Sequence, residues 1–112
     1  MAKLELRPFV CLEDYPEIRR YAETVPGGRE HNIMVRSIRI GYPVADWSRG
    51  EVKEWKLGHD EPESVLSLLL TIKALTLEEL ARGSNYGPHR PQDYCIELVT
   101  VEDGVCTVRF GS

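Results

Sequence analysis

Two segments near the end of the chain alternate apolar and polar residues with the period of β-strands. Residues 94–101 and 105–110 are therefore predicted to be strands, and Asp103-Gly104 between them is typical of a two-residue type I′ hairpin turn. This turn sets a register in which five side chains share the face assigned to the core: Val99, Val101, Cys106, Val108 and Phe110. Cys95 is expected on that face too, too far along the strand from Cys106 for a disulfide.

Three earlier segments also have strand character. Residues 3–12 alternate but are interrupted by Pro8, which has no amide proton, so they predict an edge strand or two short pieces. Residues 32–42 are rich in β-branched residues, and a shift in their apolar phase indicates a bulge near residues 36–37. Residues 51–57 are the expected hairpin partner of that strand.

Residues 14–25 allow two interpretations. Apolar residues at i, i+3, i+4 and i+7, with Asp14 and Glu17 spaced as a capping box, indicate a helix. The β-favouring residues within 18–25 and the Pro-Gly-Gly turn after them indicate a strand. We favour a strand over residues 18–25.

Residues 62–82 predict the dominant helix of the domain. Seven apolar residues fall on one broad arc that is expected to lie on the sheet: Val65, Leu66, Leu69, Leu70, Ile72, Leu77 and Leu80. Acidic residues near the start, and Arg82 with Gly83 at the end, suit the helix dipole and its cap. Lys73 also falls within the arc, and the capping-box pattern of residues 76–79 predicts a break near Thr76 that would relieve its burial.

Leu68 and Leu75 form a second, narrow apolar stripe on this helix. Either another part of the chain covers the stripe, or it is exposed and serves as an interface with a second copy of the chain or another partner. Both interpretations follow from the same spacing.

These elements predict an α+β domain over residues 1–112, with an antiparallel sheet, one dominant helix on one face and a C-terminal hairpin. A helix that returns alongside the sheet brings loops 43–50 and 83–93 to one end of the molecule. Both loops carry side chains typical of recognition sites: Trp47 and Arg49 in the first, and Asn85, Tyr86, His89 and Arg90 in the second. These six residues are the predicted binding site.

Chain length, net charge and cysteine content narrow the possible functions further. A chain of 112 residues suits one core, and a net charge of −4 argues against broad nucleic-acid binding. The N-terminal residues do not have the pattern of a signal peptide, and the longest apolar run is far too short for a membrane span, so we expect a cytoplasmic protein. The three cysteines have no scaffold spacing, and reduced, mostly buried thiols are expected.

Catalytic and metal-binding patterns do not emerge from the sequence. The motifs of nucleophilic hydrolases, zinc proteases and phosphate-binding loops do not occur, and the three histidines lie far apart. We therefore expect neither catalytic residues nor a bound metal or cofactor.

In size, acidity and layout the chain resembles small bacterial immunity and inhibitor proteins, which block a partner by surface complementarity. The resemblance is one of general layout and rests on no motif. It implies a non-enzymatic protein-binding module of inhibitor, immunity or adaptor type. The alternative is a small enzyme or ligand-binding domain with its pocket between loops 43–50 and 83–93.

Overall fold

The computed structural model describes residues 3–45, 49–58, 62–82 and 94–111. These residues form an α+β fold of six strands and two helices, and they include the predicted C-terminal hairpin. The elements in chain order are β1 (Leu4–Leu6), β2 (Val10–Cys11), α1 (Tyr15–Thr24), β3 (Ser37–Ile40), β4 (Lys53–Lys56), α2 (Val65–Ala81), β5 (Cys95–Glu102) and β6 (Val105–Gly111).

The strands form one sheet in the order β1-β5-β6-β3-β4, and β2 also pairs with β5. Most pairs are antiparallel, as predicted, but β3 and β6 run parallel. The last strand therefore lies inside the sheet, between β5 and β3. The sheet is mixed because β6 joins its hairpin partner to the separate β3–β4 hairpin, whose orientation the sequence does not specify.

The C-terminal hairpin has the predicted register. Val101 pairs with Cys106 and Val99 pairs with Val108, and Asp103 and Gly104 have φ values of 53° and 79°, as a type I′ turn requires. The register shifts further along, between Ile96 and Leu98. Because of this shift Ile96 takes the core face and Cys95 the opposite one, so the prediction of a core-facing Cys95 is wrong.

The N-terminal segment forms two short strands, one of the two arrangements predicted from Pro8. β1 and β2 lie on either side of this proline, and both pair with β5. Phe9, beside the proline, has a φ of 50°, and its side chain is exposed. The change of direction between the two strands is thus concentrated in these two residues.

The strand that we favoured over residues 18–25 is wrong, because this segment belongs to helix α1. The Asp14 side chain caps the helix by accepting a hydrogen bond from the Glu17 amide at 3.1 Å, and Pro16 suits the first turn. Ile18 and Ala22, four residues apart, are its buried residues. Cap and packing together override the strand propensity of the individual residues.

The segment 32–42 is interrupted where its apolar phase shifts. Ile33 forms only an isolated bridge with Glu63, and β3 begins at Ser37. The amides of Arg36 and Ser37 both donate to the Gly104 carbonyl, so two residues of this segment share one acceptor across the sheet. β4 pairs with β3 as the predicted hairpin partner.

Helix α2 is continuous over 17 residues, so the predicted break near Thr76 is wrong. The Thr76 hydroxyl lies inside the helix and donates to the Ile72 carbonyl at 2.8 Å, which satisfies it without a new helix start. The cap also differs from the expected acidic start, because Ser64 and Ser67 form a capping box.

The buried face of α2 is rotated relative to the predicted arc. Its members are Val65, Leu68, Leu69, Ile72, Thr76, Glu79 and Leu80. Leu66, Leu70 and Leu77, which were expected on the buried arc, are only partly buried. Lys73 lies on that flank with its ammonium 5.9 Å from the centre of the Tyr15 ring of α1, so its charge avoids full burial without a helix break.

The core joins buried side chains of both helices to one face of the sheet. The other face carries exposed polar residues, among them Arg39, Glu54, Thr107 and Arg109. Within the described ranges, neither helix has the length and apolar character needed to cross a membrane.

Candidate functional site

The bases of the two loops predicted to bind a partner are in contact. Tyr42 directly precedes loop 43–50, and Tyr94 directly follows loop 83–93. Their rings pack edge to face with centroids 5.6 Å apart, and Tyr94 is completely buried. The Tyr94 carbonyl also accepts the Leu12 amide at 2.8 Å, which ties the N-terminal segment to the same place.

An ion pair holds the other ends of these loops together. Lys53, at the start of β4, lies 2.7 Å from the Glu79 carboxylate in the last turns of α2. The Glu79 side chain is only 7% exposed, and Arg82 contacts its second oxygen at 3.8 Å. The Lys53 ammonium also lies 5.6 Å from the centre of the Trp55 ring. The start of β4, which follows loop 43–50, is thereby fixed to the last turns of α2, which precede loop 83–93.

Sequence reasoning missed the role of Glu79, which was assigned to a capping box. Glu79 follows Ile72 by seven residues and Thr76 by three, so it belongs to the same helical stripe. A carboxylate on a stripe that includes Ile72 requires a cation from a neighbouring element. The alternation of β4, with Lys53 and Trp55 on one face, offered that cation.

We expect Lys53→Met to lower the free energy of unfolding by about 2 kcal/mol, because removal of one partner leaves a buried carboxylate less well compensated. Methionine retains most of the aliphatic packing of lysine. Urea unfolding followed by circular dichroism measures the change.

Lys56→Met is the matched control, because Lys56 lies on the same strand but is exposed. The double variant Lys53→Met/Glu79→Gln is expected to recover much of the loss. Equal effects of Lys53→Met and Lys56→Met would show that the ion pair does not stabilise the fold.

Most of the predicted binding residues lie outside the described part of the chain: Trp47, Asn85, Tyr86, His89 and Arg90. Arg49 is described and exposed. The start of loop 43–50 packs inward, since Val44 and Ala45 are buried and both amides donate to the Gly41 carbonyl. The peptide bond between Tyr42 and Pro43 is cis.

The two leucines of the second stripe have different environments. Leu68 is 0% exposed and Leu75 is partly buried against the same core. An exposed interface through Leu68 therefore does not fit this structure, whereas coverage of the stripe by other parts of the chain does. The physical reason is the orientation of α2 about its own axis, which differs from the predicted one and places Leu68 on the buried face of the helix.

A pair of cysteines lies close to the bases of the loops. Cys11 of β2 and Cys95 of β5 are directly opposite each other, with their sulfur atoms 3.4 Å apart. Cys11 is exposed, contrary to the expectation of mostly buried thiols, whereas Cys106 is buried in the core. Sequence reasoning missed the pair because it did not predict that β2 pairs with β5.

An open cleft of about 500 Å³ lies at the opposite end of the molecule, beside the hairpin turn. Its polar lining residues are Asn32, Arg36 and Asp103, which provide no combination of nucleophile and base. In the described ranges, no group of three or more potential ligands could hold a metal ion.

Comparisons of the chain with protein-family models, with curated proteins and with solved structures give no significant match.

Proposed function

We propose that the chain is a small protein-binding module of inhibitor, immunity or adaptor type. Its contact surface is the loop end, defined as residues 43–50 and 83–93. Trp47, Arg49 and Tyr86 supply the residue types that contribute most to protein interfaces. The partner is another protein, and a second copy of the chain is the alternative partner.

The observation that carries the proposal is the contact between Tyr42 and Tyr94, the residues that flank the two loops. A binding surface built from loops gains affinity when its supports are rigid, because less conformational entropy is lost on binding. The Lys53–Glu79 ion pair supports the other ends of the same loops. Contacts between flanking residues thus join two segments that are separated in sequence, which supports a shared contact surface.

We expect the double variant Trp47→Ala/Tyr86→Ala to lose partner binding. Tagged wild-type chain is used as bait in a cell extract, the enriched protein is identified and purified, and its dissociation constant is measured by calorimetry. Loss of one hot-spot side chain costs at least about 2 kcal/mol, which corresponds to roughly 30-fold weaker binding.

The matched control is Arg29→Ala, because Arg29 is 86% exposed and follows Gly28, whose carbonyl accepts the Val65 amide at the far end of α2. The control is expected to bind like the wild type. An unchanged dissociation constant for Trp47→Ala/Tyr86→Ala would exclude the loop end as the contact surface. Light scattering of the purified chain tests the second-copy alternative, which a strictly monomeric mass would exclude.

A further inference from the structure

We propose that Cys11 and Cys95 are a reversible redox pair, which a small-molecule disulfide such as glutathione disulfide converts into an intramolecular disulfide bond. The inference rests on the thiol geometry alone and does not depend on the proposed binding function. It assigns a modification site to the edge of the sheet where β2 meets β5.

The backbone already has the spacing that a disulfide needs. Cys11 and Cys95 are direct partners in an antiparallel pair, where the Cα atoms lie about 4.5–5.5 Å apart, within the roughly 4.4–6.8 Å range of natural disulfides. The sulfur atoms, 3.4 Å apart, need to approach to about 2.05 Å. Small side-chain rotations are sufficient for this, with the strands left in register.

The two thiols differ in accessibility. Cys11 is exposed, so a dissolved disulfide reaches it first. Cys95 is partly buried, and its pKa is raised to about 11, first by desolvation and then by the hydrogen bond with Cys11 and by the charges of Cys11 and Glu97. Cys95 therefore stays protonated while Cys11 reacts.

Exchange with a disulfide RSSR accounts for every atom and electron. The Cys11 thiolate attacks one sulfur of RSSR, a mixed disulfide forms, and RS⁻ leaves and takes up the proton that Cys11 released. Cys95 then loses its proton to water and attacks the Cys11 sulfur; the second RS⁻ leaves and takes up a proton from water. The net result is oxidation of two protein thiols to one disulfide and reduction of RSSR to two RSH.

The second step is expected to depend steeply on pH. Because the pKa of Cys95 is about 11, its thiolate fraction rises about tenfold with each pH unit through the neutral range. Once Cys11 is part of the mixed disulfide, its thiolate charge and thiol hydrogen bond no longer raise the pKa of Cys95. In the mixed disulfide, Cys95 is thus expected to attack the Cys11 sulfur faster than the Cys95 pKa of about 11 in the free dithiol indicates.

The bond would cross-link the short strand β2 to β5. β2 has two residues and, among the strands that the structure describes, pairs with β5 alone; the two cysteines are 84 positions apart in sequence. A cross-link over such a long loop restricts the unfolded chain strongly, so we expect the melting temperature to rise by about 10 °C on oxidation. Reduction with dithiothreitol is expected to reverse the rise.

Cys106 serves as an internal control. It is completely buried and its pKa is raised to about 12 by desolvation, so neither glutathione disulfide nor an alkylating reagent should modify it in the folded chain. It also lies on the core face of β6, opposite Val101, away from the other two thiols. Alkylation after the chain is unfolded labels the Cys106 thiol and so distinguishes it from the other two.

The test treats the purified chain with glutathione disulfide, blocks free thiols with iodoacetamide and maps the peptides by mass spectrometry. Digestion with trypsin and a glutamate-specific protease separates Cys95 from Cys106, because Glu97 and Glu102 lie between them. The expected product is a cross-linked pair of peptides that contain Cys11 and Cys95. The melting temperature of the chain is expected to rise on oxidation and to fall again on reduction.

Cys11→Ser and Cys95→Ser should each abolish the cross-link and the melting shift, whereas Cys106→Ala should retain both even if its melting temperature is lower throughout. Two results would overturn the proposal: oxidised wild-type chain with only intermolecular or glutathione-capped Cys11, or wild-type chain in which Cys11 and Cys95 are both recovered as alkylated free thiols after the treatment. Since the mapping uses wild-type chain, failure of a variant to fold does not obscure the outcome.

Discussion

Replacement of Leu68 with alanine is expected to lower the free energy of unfolding by about 3 kcal/mol. Leu68 is 0% exposed in the cluster that joins α2 to the sheet and to Ile18 of α1. A buried Leu→Ala change loses the transfer free energy of the side chain and leaves a cavity, which together cost about 2–5 kcal/mol. Thermal and urea unfolding measure the loss.

Leu75→Ala is the matched control, since it removes the same atoms from the same helix at a position that is only partly buried. We expect about 1 kcal/mol there, in proportion to the smaller area removed from water. If Leu68 instead contributed to a contact between chains, Leu68→Ala would change the molecular mass in solution and scarcely change the stability of the monomer.

Gly28→Ala is expected to lower the free energy of unfolding by about 3 kcal/mol, because the new Cβ would clash with backbone oxygen atoms. A Cβ at this position would overlap the Ala22 carbonyl oxygen and approach the Val25 carbonyl oxygen to 3.0 Å. The Gly28 carbonyl accepts the Val65 amide, so any displacement also disturbs the start of α2. Neither carbonyl is the end of a flexible side chain that can move aside.

Gly27→Ala separates this steric effect from simple loss of a glycine. Gly27 has a φ of 69°, but a Cβ there would meet only the Glu30 side chain, at 3.5 Å. We expect a cost of about 1 kcal/mol, from the left-handed backbone alone. A larger loss for Gly27→Ala than for Gly28→Ala would contradict the close packing of Gly28 against the C-terminal end of α1.

The hairpin of β5 and β6 was predictable because its information is local. Asp103-Gly104 requires φ values that few other residue pairs adopt easily, and a two-residue turn leaves one register open to the flanking strands. The segment around Pro8 was also predictable, since a missing amide proton restricts any residue in a sheet. Both predictions depended on covalent chemistry more than on packing.

The faces of the helices were harder to predict. Helix α2 is apolar on most of its circumference, so its pattern allows several rotations and only contacts with α1 and the sheet select one. Thr76 and Glu79 lie on the buried face because each finds a partner there, the Ile72 carbonyl and Lys53 respectively. A hydrophobicity pattern does not predict that a polar residue is buried when a neighbouring group forms a hydrogen bond or ion pair with it.

For the candidate site, sequence reasoning predicted that the residues flanking loops 43–50 and 83–93 lie close together, and it missed the thiol pair. Neighbouring bases for loops 43–50 and 83–93 follow from the length of α2, which is a property of one element. The meeting of Cys11 and Cys95 depends on the pairing of β2 with β5, which the sequence does not specify. A one-residue register shift against β6 also reverses the face that Cys95 takes. A register shift inside a strand is difficult to predict from the amino-acid composition of that strand.

The parallel pairing of β3 with β6 has a consequence for the order of events during protein synthesis. Of the strands that the structure describes, β6 is made last, yet it occupies the interior of the sheet and separates the β3–β4 hairpin from β5 with β1 and β2. Until residues 105–111 leave the ribosome, the two halves of the sheet have no common neighbour. Because such distant pairings are slow to form, we expect nascent chains that end before residue 105 to remain sensitive to protease and the complete domain to fold in one late, cooperative step.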